Sequence, residues 1–472
     1  MNLTQNWKYF TVLAMTILCG SLCAQTQPFP ANLTFSSGLM ASNKNHLDAT
    51  SSYDTWKTNF IEACSNGRFR VKFDNSSETV SEGIGYGMLL TVYKADKTTF
   101  DGLWNFYKDN RNSNGVMNWK IQGCSLGTPG QNGATDAELD AAMALIVADY
   151  QWGSSGAINY RADAEILIAA IKTHEVEANT FVLKPGDMFG GSTLTNPSYF
   201  APAYYRAFGV FTNDIVFWNN VATKAYTVIN DNLSQNNAVG GLVSDWCTGS
   251  GAYSSQSSGY HAQGHTYYYD AARTPWRIVM DYLWHGNNDG KVYAKKCSDF
   301  VRVTLGGTAN IKDGYNQNGT LTGQWHNATF VGAFACAAMA GENQAHLDAS
   351  YTDLKNLNEP NAYFNQTLKT LYQFLLTGNF YLPPNATLSN ENFNFNSRLE
   401  VTVFPNPNNG IFTIKAPLQS TISVVDFQGK EILKVNVVDG QQNLDLSKYA
   451  KGLYLLKVVH QNQQAIQKIV LG

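Results

Sequence analysis

Three acidic residues stand where carboxyl groups could do chemistry. Glu82 lies in Thr79-Val80-Ser81-Glu82-Gly83-Ile84-Gly85-Tyr86-Gly87-Met88, and Asp136 in Ala134-Thr135-Asp136-Ala137-Glu138. Asp270 lies in Tyr269-Asp270-Ala271-Ala272-Arg273-Thr274-Pro275-Trp276-Arg277. A carboxylic acid gives a proton and a carboxylate takes one, so two carboxyl groups in unlike surroundings suit general acid–base catalysis. His261, His265 and His285 lack metal-ligand spacing and read as polar residues of loops or a groove, so no metal and no cofactor is expected.

The local signals put these acids at helix entrances. Ser81 reads as an N-cap, with Glu82 in the first turn. Thr135 and Glu138 match a capping box, which puts Asp136 in a first turn too. Thr274 as N-cap, with Pro275 at the first helical position, leaves Asp270 on the loop before a third helix. Such acids converge if their helices share one direction. Gly83, Gly85 and Gly87 each weaken a helix by roughly 1 kcal/mol against Ala, which suits a backbone that something approaches closely. The helix dipole alone favours acids in first turns, and it lowers their pKa. That is the wrong direction for a general acid, so Glu82 can serve only where desolvation and a neighbouring carboxylate outweigh the dipole.

The elements that must position these residues are helical from about residue 50 to 378. Leu139, Met143, Ile146 and Tyr150 recur at helical spacing, as roughly do Ile166, Ala169 and Ile171. Further helices are predicted near 53–64, 81–95, 100–110, 202–208, 214–230, 275–285, 291–305, 330–340, 345–357 and 364–376. About a dozen helices, many apolar on more than one side, fit the inner and outer layers of a toroid of paired helices. Residues 383–399 are rich in Asn, Pro and Ser and read as a linker. From Val401 the pattern alternates and is β-branched, with turns at Asn408-Asn409-Gly410, Gln428-Gly429 and Lys451-Gly452. A small all-β sandwich over 400–472 is predicted.

The 472 residues leave room for a large domain and a module. A net charge of −3 with both signs interspersed excludes a nucleic-acid surface. Aromatics reach 13%, with 10 Trp and 25 Tyr, which suits either a large core or carbohydrate stacking. Lys8, an apolar run over 10–22 and Cys23-Ala24-Gln25 make a signal peptide over residues 1–24, cleaved after Ala24. A lipoprotein anchored at Cys19 or Cys23 is the rival, with Leu22 a poor fit. No other stretch is apolar for long enough to span a bilayer. Cys64, Cys124, Cys247, Cys297 and Cys336 are odd in number and widely spaced, against a disulfide framework or zinc site. Cys336 reads as a small buried hydrophobe. One or two bridges stay possible and unassigned.

Four motifs, taken together, resemble glycoside hydrolase family 8: 81–88, the block 134–152, Asn196-Pro197-Ser198-Tyr199-Phe200-Ala201-Pro202, and Tyr269-Asp270-x-x-Arg273-x-Pro275-Trp276-Arg277. The resemblance covers about residues 30 to 380 and implies an all-α (α/α)6 barrel over 28–382 that inverts the anomeric centre without a metal. It makes Glu82 the proton donor and Asp270 the general base. Asp136 becomes the acid that hydrogen-bonds the sugar in the cleavage subsite. Tyr269 and Arg273 become the base's neighbours, and Trp119 a sugar-stacking residue. Among Tyr199, Phe200, Tyr204 and Tyr205 one or two would touch sugar, Tyr199 foremost. Two positions depart from the family pattern: Glu138, where the family usually has Asp, and Phe189, in place of a stacking Trp. The tail, with Val403-Phe404-Pro405-Asn406-Pro407, Gly452-Leu453-Tyr454 and Lys468-Ile469-Val470, resembles the C-terminal sorting domain of type IX secretion.

The expectation is therefore a secreted or cell-surface endo-acting β-1,4-glucanase. Its partners would be a polysaccharide or oligosaccharide substrate and, through the tail, the type IX secretion machinery. Chitosan, mixed-linkage glucan and xylan are open alternatives. A noncatalytic glycan-binding toroid would keep the aromatics but need none of the three acids.

Overall fold

The computed structural model describes residues 26–255, 264–387, 401–426, 430–460 and 463–472. The expected signal peptide, His261, most of the expected linker and the Gln428-Gly429 turn lie outside them. The chain divides between Thr387 and Leu388 into two compact units.

The described residues of the first unit carry twelve α-helices. Six of them, alternating along the chain, are α2 (Ser81–Tyr93), α4 (Thr135–Trp152), α6 (Pro202–Phe211), α8 (Thr274–His285), α10 (Ala328–Ala338) and α12 (Tyr363–Leu376). Each packs on the next, and α12 packs back on α2, so the six close a ring. The others are α1 (His46–Phe60), α3 (Lys97–Asp109), α5 (Tyr160–Ala170), α7 (Ile215–Gln235), α9 (Asn288–Asp299) and α11 (Gln344–Asn356). Each of these covers one ring helix: α1 on α12, α3 on α2, α5 on α4, α7 on α6, α9 on α8 and α11 on α10.

The sequence dictates which helices lie inside. Every residue of α10 (ATFVGAFACAA) is buried, whereas α9 (NDGKVYAKKCSD) buries only Gly290, Tyr293, Ala294, Cys297 and Ser298. A helix apolar all round has no face for water, and an amphipathic one has. The glycines of α2 serve this packing. A Cβ at Gly85 would stand 2.9 Å from the Ala137 carbonyl oxygen of α4, and one at Gly83 would stand 2.8 Å from the Tyr363 hydroxyl. What comes close to these glycines is protein.

Short strands also stand in this unit, where only helices and loops were predicted. β1 (Ile61–Ala63) pairs with β2 (Phe69–Val71), and β3 (Glu78–Val80), β4 (Lys120–Gln122) and β5 (Gly127–Gly130) form a sheet in that order. Strands of three or four residues are too short to show an alternation. They change the cap assignments. Because β3 runs straight into α2, Val80 takes the cap position and Ser81 is the first helical residue, its backbone N–H donating to the Trp119 carbonyl at 2.9 Å. Ala134 caps α4 without a side-chain bond, and Arg273 precedes α8, so Thr135 and Thr274 are helical rather than caps. Cys64 and Cys124 form a disulfide with Cα atoms 5.7 Å apart, while Cys247, Cys297 and Cys336 are free and buried. Beyond α12, Ala386 is buried and the Asn385 amide donates to Asp149 of α4 at 2.9 Å, so packing continues past residue 383.

In the second unit two antiparallel sheets share one core. One has the order β10 (Gln441–Asp445), β7 (Ile411–Lys415), β6 (Thr402–Phe404). The other has β12 (Gln463–Leu471), β11 (Gly452–His460), β8 (Thr421–Val425), β9 (Glu431–Asn436). Alternate residues point inward, so Phe412 and Ile414 meet Ile422, Val424, Leu456, Val458 and Ile469 in one apolar cluster. Gly410, at φ 111°, turns the chain into β7, with its N–H held by the Asn408 side chain at 2.8 Å.

Candidate active site

The ring helices meet at their N-terminal ends around one guanidinium. Arg273, in the 3-10 turn Ala271–Arg273 before α8, is 1% exposed at its side chain. Its Nη1 donates to Glu82 Oε2 and Asp136 Oδ2, both at 2.8 Å, and to the Tyr86 hydroxyl at 3.1 Å. Its Nη2 donates to Asp270 Oδ1 at 2.8 Å and to the Ser198 hydroxyl at 2.9 Å. One cation thus gathers all three acids singled out in the sequence. Glu82 and Asp270 keep 19% and 27% of their side chains exposed, so both reach solvent, whereas Asp136 keeps 3%.

Each ring helix contributes at this end. α2 supplies Glu82 and α4 supplies Asp136. The 3-10 turn Pro197–Tyr199 ahead of α6 supplies Ser198, and the turn into α8 supplies Asp270 and Arg273. Asn327 caps α10 and donates to the Tyr269 hydroxyl at 2.9 Å. Tyr363, the first residue of α12, donates to Glu82 Oε1 at 3.1 Å.

Three carboxylates against one guanidinium leave surplus negative charge. Burial raises the Glu82 pKa to about 8, with the Asp136 and Asp270 charges adding to the rise and Arg273 and the Tyr363 bond opposing it. Desolvation and the neighbouring carboxylates therefore outweigh Arg273 and the Tyr363 bond, and the shift runs in the direction a general acid needs. Burial also raises Asp136, against Arg273 and Arg277. Both oxygens of Asp270 accept hydrogen bonds, one from Arg273 and the other from Trp246 Nε1 at 3.0 Å. Buried Asp245 accepts from the backbone N–H groups of Tyr268 and Ala271, each at 2.8 Å, which fixes the chain on both sides of Asp270.

The other expected residues are spread around this centre. Trp119 is 41% exposed, next to the start of α2, with its indole laid against Gly130, where a Cβ would come within 2.4 Å. Tyr199 is buried, its ring 5.3 Å from the Arg273 guanidinium. The Tyr269 hydroxyl donates to Asp313 at 3.0 Å. Phe189 lies partly buried against Gly186. Glu138 is not a capping residue: it is buried and accepts from the Tyr107 hydroxyl at 3.0 Å and from the Met117 N–H at 3.2 Å, holding the segment that leads to Trp119. Tyr363, Trp246, Asp245 and Asp313 were not foreseen. Ser198 and Tyr86 were visible only as parts of longer motifs. Among the described residues no group of three or more His, Cys, Asp and Glu could hold a metal ion, and no helix is long and apolar enough to cross a membrane.

An acid that stays protonated near neutral pH, beside a solvent-reaching carboxylate on the same cation, is equipment for splitting a bond between acid and base. The comparisons give the class. The profile of glycosyl hydrolases family 8 matches residues 27–378, and the chain belongs to that family. A secretion system C-terminal sorting domain matches residues 402–472, so the protein is secreted or displayed at the cell surface. The chain is similar to Endoglucanase 2 of Ruminiclostridium josui, 40% identical over 384 residues, 79% of this chain and 81% of that one. It is 37% identical over 382 residues to Endoglucanase A of Acetivibrio thermocellus, 79% of this chain and 78% of that one. The solved apo structure of a beta-1,3-1,4-glucanase from Paenibacillus sp. X4 superposes with a TM-score of 0.71 at 31% identity, over 76% of this chain and all of that one.

Proposed function

We propose that this chain is an endo-acting glycoside hydrolase that cuts β-1,4-linked glucan with inversion, on an (α/α)6 barrel built from the six-helix ring and its six covering helices. The observation that carries the reading is the Arg273 centre, which holds Glu82, Asp136 and Asp270 together while burial keeps Glu82 protonated. Relatives named endoglucanases support the substrate class.

In this reading Glu82 gives its proton to the leaving glycosidic oxygen. Asp270 takes a proton from water, which attacks the anomeric carbon from the opposite face, and a β-linkage yields an α-anomer. An inverting pair needs about 6.5–9.5 Å between carboxyl groups to admit that water. The two bonded oxygens, Glu82 Oε2 and Asp270 Oδ1, stand no farther apart than two 2.8 Å bonds plus the width of the guanidinium fork. Protonated Glu82 keeps Oε2 as acceptor for Arg273 and carries the proton on Oε1, which still accepts from the Tyr363 hydroxyl and leaves the proton for the glycosidic oxygen. Asp136 holds the sugar of the cleavage subsite. Trp119 stacks on a neighbouring sugar, Tyr199 contacts the chain, and Tyr269 with Arg273 orients the base.

The proposed organisation is a signal peptide over 1–24, a catalytic domain from 28 that runs on to Thr387 because the packing does, a linker, and the sorting domain, which engages the type IX machinery. The likeness to the Paenibacillus enzyme favours mixed-linkage glucan as a second substrate. Proton NMR of the first products from a soluble β-glucan tests the reading: the α-anomer is expected first, and a β-anomer first overturns inversion. Activity on chitosan or xylan but on no β-glucan overturns the substrate.

A further inference from the structure

Among the described residues only two tryptophans are exposed, Trp119 at 41% and Trp325 at 67%. A single exposed apolar side chain is ordinary by itself, but the backbone beneath Trp325 is held from two sides. Asp313 Oδ1 accepts from the N–H groups of Gln324 and Trp325, both at 2.8 Å, while its Oδ2 accepts from the hydroxyl of Tyr269, the neighbour of Asp270. On the other side His326 bonds the Ile311 carbonyl at 2.9 Å through Nδ1 and Asp353 of α11 at 3.0 Å through Nε2. Upstream, Tyr315 exchanges backbone bonds with Tyr267, three residues before Asp270. Downstream, Asn327 caps α10 and bonds Tyr269. A large apolar ring is thus carried on a pinned segment, two hydrogen bonds through Asp313 from the residue beside the proposed base.

We propose that Trp325 is a sugar-stacking platform on the Asp270 flank of the site, as Trp119 is on the Glu82 flank, and that it binds a glucan unit beyond those at the point of cleavage. A pyranose ring offers an apolar C–H face that matches an indole. Because the segment is pre-ordered, binding loses little entropy to loop ordering. Asp313 and His326 are positioning residues, acting through the backbone they hold.

This inference rests on the glucan-hydrolase reading, so its test separates binding from turnover. Calorimetry compares Glu82→Gln with Glu82→Gln/Trp325→Ala, using cellohexaose and cellotriose as probes. The expected result is a roughly tenfold weaker Kd for cellohexaose, little change for cellotriose, and recovery of most of the loss with Trp325→Phe. Circular dichroism and melting curves unchanged by Trp325→Ala confirm that the fold is kept. An unchanged cellohexaose Kd, an equal loss for both lengths, or no cellohexaose binding by Glu82→Gln alone overturns the inference. A wild-type enzyme that binds cellohexaose but cuts no β-glucan overturns the hydrolase reading and leaves the stacking result standing.

Discussion

Arg273 and Arg277 stand one helical turn apart, and each reaches across to an aspartate of α4, Asp136 and Asp140, themselves one turn apart. Arg277 and Asp140 are both wholly buried and make a closed two-bond pair, one cation to one anion. Arg273 is as deeply buried but faces three carboxylates, two of which reach solvent. The balanced pair has nothing left to offer a substrate. At the unbalanced one burial raises the Glu82 pKa, and the Asp136 and Asp270 charges add to the rise against Arg273. Two arginines one turn apart thus differ in the number of carboxylates they face and in their access to solvent.

The contrast predicts unlike failures. Glu82→Gln, which keeps shape but carries no donatable proton, should lower kcat by about 10³-fold while oligosaccharide Kd stays within a factor of a few, read by hydrolysis and calorimetry. Asp270→Asn should lose activity comparably. Azide, which needs no deprotonation, should restore turnover as an α-glycosyl azide; a β-azide would mean a retaining site. In the deeper layer, Arg277→Met strands a buried carboxylate and should cost about 3–5 kcal/mol of stability by denaturant unfolding. The double variant Arg277→Met/Asp140→Leu should recover most of it. Equal stability losses for Glu82→Gln and Arg277→Met would erase the distinction between the layers.

Smaller effects lie in the pH dependence. Glu82 must be protonated to act, so kcat/KM should fall as pH rises through about 8. Its pKa is raised on folding from an ordinary value of 4.5, so the native state holds a proton that the unfolded chain has released. Stability should therefore decline with rising pH between about 4.5 and about 8, and Glu82→Gln should flatten that slope. The smallest expected change is in Tyr363→Phe. The hydroxyl bond holds the Glu82 pKa down, so its loss should move the alkaline limb of the pH–rate profile upward by less than about one unit.

What was legible in the chain was local. Glu82, Asp136, Asp270 and Arg273 sit inside short motifs whose resemblance to a known family, rather than their helix positions, implied a shared site, and the helical stretches read from the sequence fall within a turn or two of all twelve helices. Tyr363 reaches Glu82 across 281 positions and Trp246 reaches Asp270 across 24, and neither lies in a motif that marks it. Asp245 works through backbone N–H groups, which no side-chain pattern reveals. The cap of α2 was misread because β3 runs straight into the helix and the Ser81 N–H finds its acceptor in the Trp119 carbonyl. A Ser or Thr ahead of a helix looks the same whether or not its hydroxyl caps it, and the cap positions here fall to Val80 and Ala134, which make no side-chain cap bond. Trp325 was passed over because exposure is a property of the fold: seven of its eight fellow tryptophans among the described residues are not exposed.

The bridge between Cys64 and Cys124 spans 60 residues, and that loop holds β2 to β4, α2 with Glu82, α3 and Trp119. Closing a loop of that length removes about 4 kcal/mol of freedom from the unfolded chain, once its sulfurs are oxidised. Thiols stay reduced in the cytosol and pair in oxidising compartments. The segment that carries Glu82 is thus constrained only once the chain has left the reducing cytosol, so the loop gains its clamp on the way out of the cell.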